Sequence, residues 1–228
     1  FGAAVAIIFL GRGALTVELM ATVTAFLGLG FSYFLASRIR FGDWALRLVL
    51  AGIAVSALFS AGLGLMQYIA DPLSELPDIV FWLLGDLSGV TLPELLRVLP
   101  LALLGLTVML LMRWRLNVLS LRDETAFSLG ASLLWERLLV LGAAVAATAG
   151  VVAVAGIVGW VGLIAPHLAR RVVGANAQHA LPAACLIGGI YALISDNVAR
   201  TILPGEIPLG ILTSLFGAAL FIVLLSTN

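Results

Sequence analysis

Apolar runs free of Asp, Glu, Lys and Arg punctuate the chain. They cover residues 19–37, 48–70, 172–195 and 207–228, with a shorter run at 98–112 and the tail of another at 1–11. A helix needs about 20 mostly apolar residues to cross a bilayer, so each run predicts a crossing or part of one. Glu18 falls at the predicted start of the first full helix. Pro93 and Glu94 suit the first turn of the helix carrying 98–112, where a missing N–H costs little and a negative charge meets the positive end of the dipole. The run at 138–169 is different. Its length, about 32 residues, is too long for one crossing and short for two at about 1.5 Å per residue. Gly150, Gly156, Gly159 and Gly162 interrupt it. The pattern predicts one full crossing over 138–155, a tight glycine turn, and a short helix returning over about 160–172.

The polar segments test that hairpin. One set of loops holds Arg38, Arg40 and Arg47, then Arg113, Arg115, Arg122 and Arg137, then Arg170 and Arg171. The other set holds Arg12, Arg97 and Arg200 among Glu18, Asp71, Glu75, Asp78, Asp86, Glu94 and Glu206. Arg-rich loops stay cytoplasmic. The basic set falls on one side only if 138–169 crosses and returns, and the same count puts the C-terminus in the cytoplasm. Two loops are more than connectors. Residues 71–92 enclose the apolar piece Ile79 to Leu84 and predict a short interfacial or re-entrant helix on the outer side. Residues 116–131 set apolar Leu121, Ala126, Phe127 and Leu129 beside polar Asp123 and Glu124, with Gly130 as a stop. A short amphipathic cytoplasmic helix needs a surface to pack on. The bilayer surface, the protein itself or a soluble partner could supply it; two acids beside the single Arg122 disfavour an anionic lipid surface for residues 119–131.

Composition narrows the function classes. Hydrophobic residues make up 62% and charged residues 11%, with mean hydropathy +1.18, so the solvent is lipid and each crossing must satisfy its own backbone. Disorder, nucleic-acid binding and a disulfide-stapled secreted fold are excluded. The net charge is zero, and all 12 basic residues are Arg. Without Lys there is no P-loop and no Schiff-base chemistry; any ATP belongs to another chain. The chain opens inside an apolar stretch and reads as a fragment that begins partway through a membrane helix. Cys185, the one cysteine, sits in an apolar run and is expected to be buried as a small hydrophobe.

Catalytic chemistry is sparse. His167 and His179 have no carboxylate at ligand spacing, so no metal site is expected, and Asp196 stands alone near a span end. Gly28-Leu29-Gly30 and Gly62-Leu63-Gly64 have no basic neighbour and read as packing glycines. A proton or ion relay needs acids deep in the membrane, and the runs carry almost none. Gly52, Ser56, Ser60 and Gly64 recur at helical spacing, a small face that permits close approach or lines a path. Pro166 and His167 suggest a kink whose freed backbone groups the His caps. Glu206 complements the dipole of the last helix. Arg200 is a cation on the acidic side, available to a partner or to an internal pair with Asp196 or Glu206.

Two segments carry a family resemblance. One runs Gly159-Trp160-Val161-Gly162-Leu163-Ile164-Ala165-Pro166-His167-Leu168-Ala169-Arg170-Arg171, with Gly174 beyond. The other is Asp196-Asn197-Val198-Ala199-Arg200 followed by Glu206-Ile207-Pro208-Leu209-Gly210-Ile211. Together they resemble the FecCD-type permeases of ABC importers, which take up iron–siderophores, haem and cobalamin. Leu116 to Gly130 is similar to that family's cytoplasmic coupling stretch, and Gly2-Ala3-Ala4 to a piece of its third span. The chain departs from the pattern in three places. Arg122 stands where Gly is usual, Trp160 where Phe is commoner, and Ala175 to His179 replace a more charged loop.

The resemblance implies an all-α, polytopic transmembrane helix bundle, the C-terminal part of a ten-span permease. Residues 1–228 would form a single transmembrane permease domain lacking its N-terminal spans, with 116–131 as its cytoplasmic coupling segment. The implied assembly is a homodimer in the inner membrane, with two ATP-binding cassette subunits inside and a substrate-binding protein outside. The permease itself is not an enzyme and binds no cofactor; ATP and Mg would sit on the partner subunits. Residues Leu121, Asp123, Glu124, Ala126, Phe127, Leu129 and Gly130 would couple to the ATPase. Arg200 and Glu206 would dock the binding protein, Gly52, Ser56, Ser60 and Gly64 would line the path, and Gly156, Gly159, Gly162, Pro166 and His167 would shape the turn. The cargo expected is an iron chelate (siderophore or haem) or cobalamin. An oxyanion such as molybdate, an ion-coupled carrier and a membrane enzyme are the competing readings.

Overall fold

The computed structural model describes residues 1–202 and 207–226, the Leu225 side chain apart. All regular structure among them is helical. Helix α1 (Gly2–Val5) runs on as a π-helical segment, Ala6–Leu10. There follow α2 (Ala14–Arg38), α3 (Trp44–Ile69), α4 (Glu75–Leu84), α5 (Leu92–Leu119), α6 (Asp123–Ser128), α7 (Leu133–Ala155), α8 (Val161–Val173), α9 (Ala177–Thr201) and α10 (Leu209–Ser226). Five of these, α2, α3, α5, α7 and α9, are long and apolar enough to cross a membrane; α10 is shorter and apolar. Local chemistry starts the helices where the pattern places them. Asp43 accepts from the Leu46 amide at 2.8 Å and caps α3. Thr91 donates both its amide and its hydroxyl to Glu94 ahead of α5, each at 2.8 Å.

The predicted hairpin is present: α7 ends at Ala155 and α8 returns from Val161. Three boundaries differ from expectation. Helix α5 continues past Arg113 and Arg115 to Leu119, so the amphipathic helix expected within 116–131 contracts to the six residues of α6. Arg is a good helix former, so charge ends an apolar run without ending the helix. Helix α9 begins at Ala177, because Gly174 (φ 85°) closes α8 and Asn176 caps α9. It then continues beyond Asp196 to Thr201. Cys185 is exposed rather than buried. It lies in an exposed stripe with Gly189, Ile190, Leu193 and Ile194. A run apolar on all sides has no polar face to mark its outer surface.

The chain divides into two compact units. The first comprises Phe1–Val80, Thr91–Gly105 and Leu141–Val154. Small residues set its packing. Gly28 faces the Phe59 ring, Gly62 faces the Phe1 ring, and the two rings meet at 5.5 Å. Gly105 lies against the backbone of Ala143 and Ala147, and Gly150 against Val98 and Ala102, so α5 and α7 approach closely. One ion pair in this unit was not foreseen. Arg97 donates to Glu18 at 2.9 Å, and Glu18 is buried. Removing Arg97 would strand a buried carboxylate, a change that costs about 3–5 kcal/mol in folded proteins.

The second unit comprises Phe81–Val90, Leu106–Val140 and Ala155–Asn228. Here α8 packs on α9, and α10 packs on both. The Tyr191 hydroxyl donates to the Thr213 carbonyl at 2.7 Å, tying α9 to α10. The end of α4, the α7–α8 turn and the start of α10 converge backbone to backbone. Gly85 lies against the Ile157 carbonyl, Gly156 against the Trp82 carbonyl, and Gly210 against the carbonyls of Leu84 and Ile157. Two bonds at 2.9 Å close the junction, Asp86 N–H to the Ala155 carbonyl and Leu209 N–H to the Gly85 carbonyl. Gly156 takes φ 67°, and so does the bulky Trp160. Trp160 is held there by α10: its Cβ lies against Gly217 and its ring meets Phe221 at 6.0 Å. Of the residues assigned to the turn, Gly156 and Gly159 lie in it, whereas Gly162, Pro166 and His167 lie inside α8. Gly156→Ala combines a left-handed φ with a Cβ driven into the Trp82 carbonyl. It is expected to cost about 2 kcal/mol or more, read as a lower unfolding midpoint of the detergent-solubilised protein. Gly162→Ala, which meets nothing within 4 Å, should leave the midpoint unchanged or raise it.

Candidate functional site

The segment expected to couple is built around α6. Arg122 precedes it without a side-chain cap, and its carbonyl accepts from the Ala126 amide at 2.9 Å. At the far end Gly130 takes φ 77° and the Ala131 amide returns to the Ala126 carbonyl at 3.1 Å, which ends the helix as its glycine predicts. The apolar residues of this segment separate. Ala126 is fully buried, whereas Phe127 is 73% exposed, Leu129 57% exposed, and Leu121 also exposed. Glu124 and Asp123 share the exposed rim. The result is a small apolar tip bordered by acids.

Ion pairs fix this tip to its neighbours. Arg137, in the first turns of α7, donates to Asp123 through both terminal nitrogens, at 2.6 and 3.4 Å. Its neighbour Glu136 accepts from the Ser132 amide at 3.1 Å and pairs with Arg115 of α5 at 3.6 Å. Asn117 was missed in the sequence. Its amide nitrogen donates to Asn176 and its oxygen accepts from the Ala177 amide, each at 2.9 Å. The end of α5 thereby caps α9, so Asn176, in the stretch less charged than the family's, has a structural task.

Helix α3 carries the expected small face. Ala51 and Val55 are buried, while Ser56, Ser60 and Gly64 are exposed and Gly52 is half-buried. A Cβ at Gly52 or Gly64 meets nothing within 4 Å, in contrast to Gly62 on its packed side. The pair Gly28 and Gly30 splits in the same way, Gly28 against Phe59 and Gly30 open.

At the other end of α9, Arg200 Nε donates to Asp196 at 2.9 Å, one helical turn earlier. The internal pair named as an alternative therefore exists, yet the Arg200 side chain stays 43% exposed. Its charge also reaches Asp86. Burial pushes that carboxyl up, but the Ser88 hydroxyl and amide, the Leu87 amide and Arg200 outweigh it and hold Asp86 below its ordinary value. Glu206 lies outside the described residues.

The described residues thus combine several long apolar helices, a small-residue helix face open on one side and an exposed apolar tip between two long helices. The chain belongs to the FecCD transport family, which it matches over residues 1–227. It is 44% identical to a molybdate import permease of Haemophilus influenzae, over 78% of this chain and 53% of that protein. It is 39% identical to a probable iron chelatin transport permease of Helicobacter pylori, over 81% of this chain and 56% of that protein. A solved inward-facing metal-chelate type ABC transporter superposes with TM-score 0.89 at 39% identity, over all of this chain and 72% of that one. The chain spans about half the length of the curated relatives it matches.

If the open side of α3 faces water during transport, a cysteine at Ser56 should react with a membrane-impermeant thiol reagent in at least one nucleotide state. The background for this labelling is Cys185→Ser. Protection in every state would remove α3 from the path.

Proposed function

We propose that this chain is part of the permease subunit of an ABC importer, working as a homodimer in the inner membrane. On this reading the chain supplies the later spans of a ten-span subunit, with its C-terminus in the cytoplasm. The permease binds no cofactor. Two cassette ATPases hold ATP and Mg on the cytoplasmic side, and an external binding protein delivers cargo. The observation that carries the reading is the α6 tip, with Phe127 and Leu129 exposed beside Asp123 and Glu124. Apolar area of that kind, at the end of two long apolar helices, is stabilised by a protein groove. ATP-driven closure of the ATPases would push on α6 and tilt the spans between outward- and inward-facing states.

The cargo we favour is an iron chelate, a siderophore or haem, with cobalamin in the same class. Support comes from the family and from the iron chelatin and metal-chelate relatives. The molybdate permease at 44% identity favours a second reading, an oxyanion cargo. Mass spectrometry of the ligand carried by the binding protein that co-purifies with the full-length permease separates the two: an iron complex supports the first, molybdate the second. Membership of this family speaks against an ion-coupled carrier, and so would transport that stops when the ATPases are omitted from proteoliposomes.

Burying a Phe side chain contributes about 1.5–3 kcal/mol. Phe127→Asp in the full-length permease should leave the dimer in the membrane and weaken ATPase co-purification by about tenfold or more. Normal co-purification would remove α6 from the ATPase interface. Arg200 is the residue proposed to dock the binding protein. A rim ion pair there contributes about 0.5–3 kcal/mol and is screened by salt. Arg200→Glu should lower binding-protein affinity at low salt while the permease–ATPase complex stays intact; unchanged affinity would exclude Arg200 from the contact.

A further inference from the structure

We propose that Arg137 is the positioning residue through which movement of α6 reaches the membrane-crossing helix α7. This rests on the reading that α6 seats in the ATPase. Helix α6 is too short to hold its own geometry. It has six residues, no side-chain cap at its start and one buried residue, Ala126. Short connections flank it, 120–122 toward α5 and 129–132 toward α7, and the second turns through the left-handed Gly130. A hinge of that kind absorbs a push unless something spans it.

The Arg137–Asp123 pair spans it. Both terminal guanidinium nitrogens face the Asp123 carboxylate, at 2.6 and 3.4 Å, a fork that resists rotation as well as separation. Arg137 is only 12% exposed, so its end of the pair is held by packing, while Asp123 sits on the first residue of α6. The pair thus bridges the loop from a packed helix to an exposed tip. One residue earlier, Glu136 reaches Arg115 at 3.6 Å, so the first turns of α7 face α6 through one side chain and α5 through the next. A load applied at Phe127 would arrive at α7 first and pass to α5 from there.

The test uses the full-length permease with its ATPases in lipid nanodiscs. Amide hydrogen exchange is compared between the nucleotide-free and ATP–vanadate states for residues 119–131 and 133–140. In the wild type both segments should change with nucleotide. Arg137→Gln should keep ATPase co-purification, keep the change in 119–131 and lose it in 133–140; Asp123→Asn, which also alters the docking rim, should lose the change in 133–140 as well. The exchanged pair, Asp123→Arg with Arg137→Asp, should restore it. A purely structural role would alter the nucleotide-free exchange and leave the nucleotide-dependent difference in place. A change in 133–140 that survives both neutral variants overturns the proposal, as does a loss that the exchanged pair does not restore. The docking reading fails separately, if Phe127→Asp retains its ATPase or if 119–131 never responds to nucleotide.

Discussion

Three backbones meet where Gly85, Gly156 and Gly210 replace side chains with hydrogen, and the second unit depends on that contact. Gly85, Ala155, Gly156 and Leu209 are buried, and a helix end or turn that water does not reach must find protein partners for its peptide groups. The end of α4, the α7–α8 turn and the start of α10 supply them to one another, through Asp86 to Ala155 and Leu209 to Gly85. A β-carbon at Gly156 or Gly210 would separate the strands of chain that make these bonds. The hairpin then places Trp160 against Gly217 and Phe221 of α10, which holds a bulky residue in a left-handed conformation. Such a conformation costs on the order of 1–3 kcal/mol and persists only where packing over-determines it.

Ionic contacts show a different logic in the two units. In the first unit, Glu18 and Arg97 are an embedded pair, with Glu18 buried in α2 and Arg97 rising from α5. Losing Arg97 would leave the Glu18 carboxylate buried without this partner, so the cost of breaking the pair exceeds what the pair adds to net stability. In the second unit, Arg200 pairs with Asp196 within α9, while two pairs join elements across loops, Arg137 to Asp123 and Arg115 to Glu136. They hold short connections that apolar packing alone would leave free to pivot.

Much of this was legible from charge and glycine placement. The long apolar helices, the hairpin at 138–172 and the helix within 71–92 followed from apolar run lengths and from the distribution of Arg among the loops. Residue-level orientation was not. Cys185 and Ala180 belong to the same apolar run, yet one is exposed and the other buried. Nothing in a uniformly apolar run distinguishes a lipid-facing stripe from a packed one. The partnership of Glu18 with Arg97 spans 79 residues, and that of Asn117 with Asn176 spans 59, beyond the reach of local spacing rules. Position offered one usable hint: Glu18 and Arg97 fall on the same expected side of the membrane, each within the first turns of a long apolar helix, where an ion without a partner is costly.

If α3 lines the path and α6 meets the ATPase, as proposed, the small-residue face and the apolar tip answer opposite physical demands. A path for a bulky cargo must not bind it strongly at any one point, and Ser56, Ser60 and Gly64 offer little area and no charge to hold it. A coupling element must bind, and Phe127 and Leu129 offer concentrated apolar area with acids at the rim. The two demands cannot be met on one helix, because area that seats a partner would also trap cargo. They are met on different helices, α3 in the first unit and α6 in the second. Helices α5 and α7 flank α6 in sequence, and each contributes residues to both units.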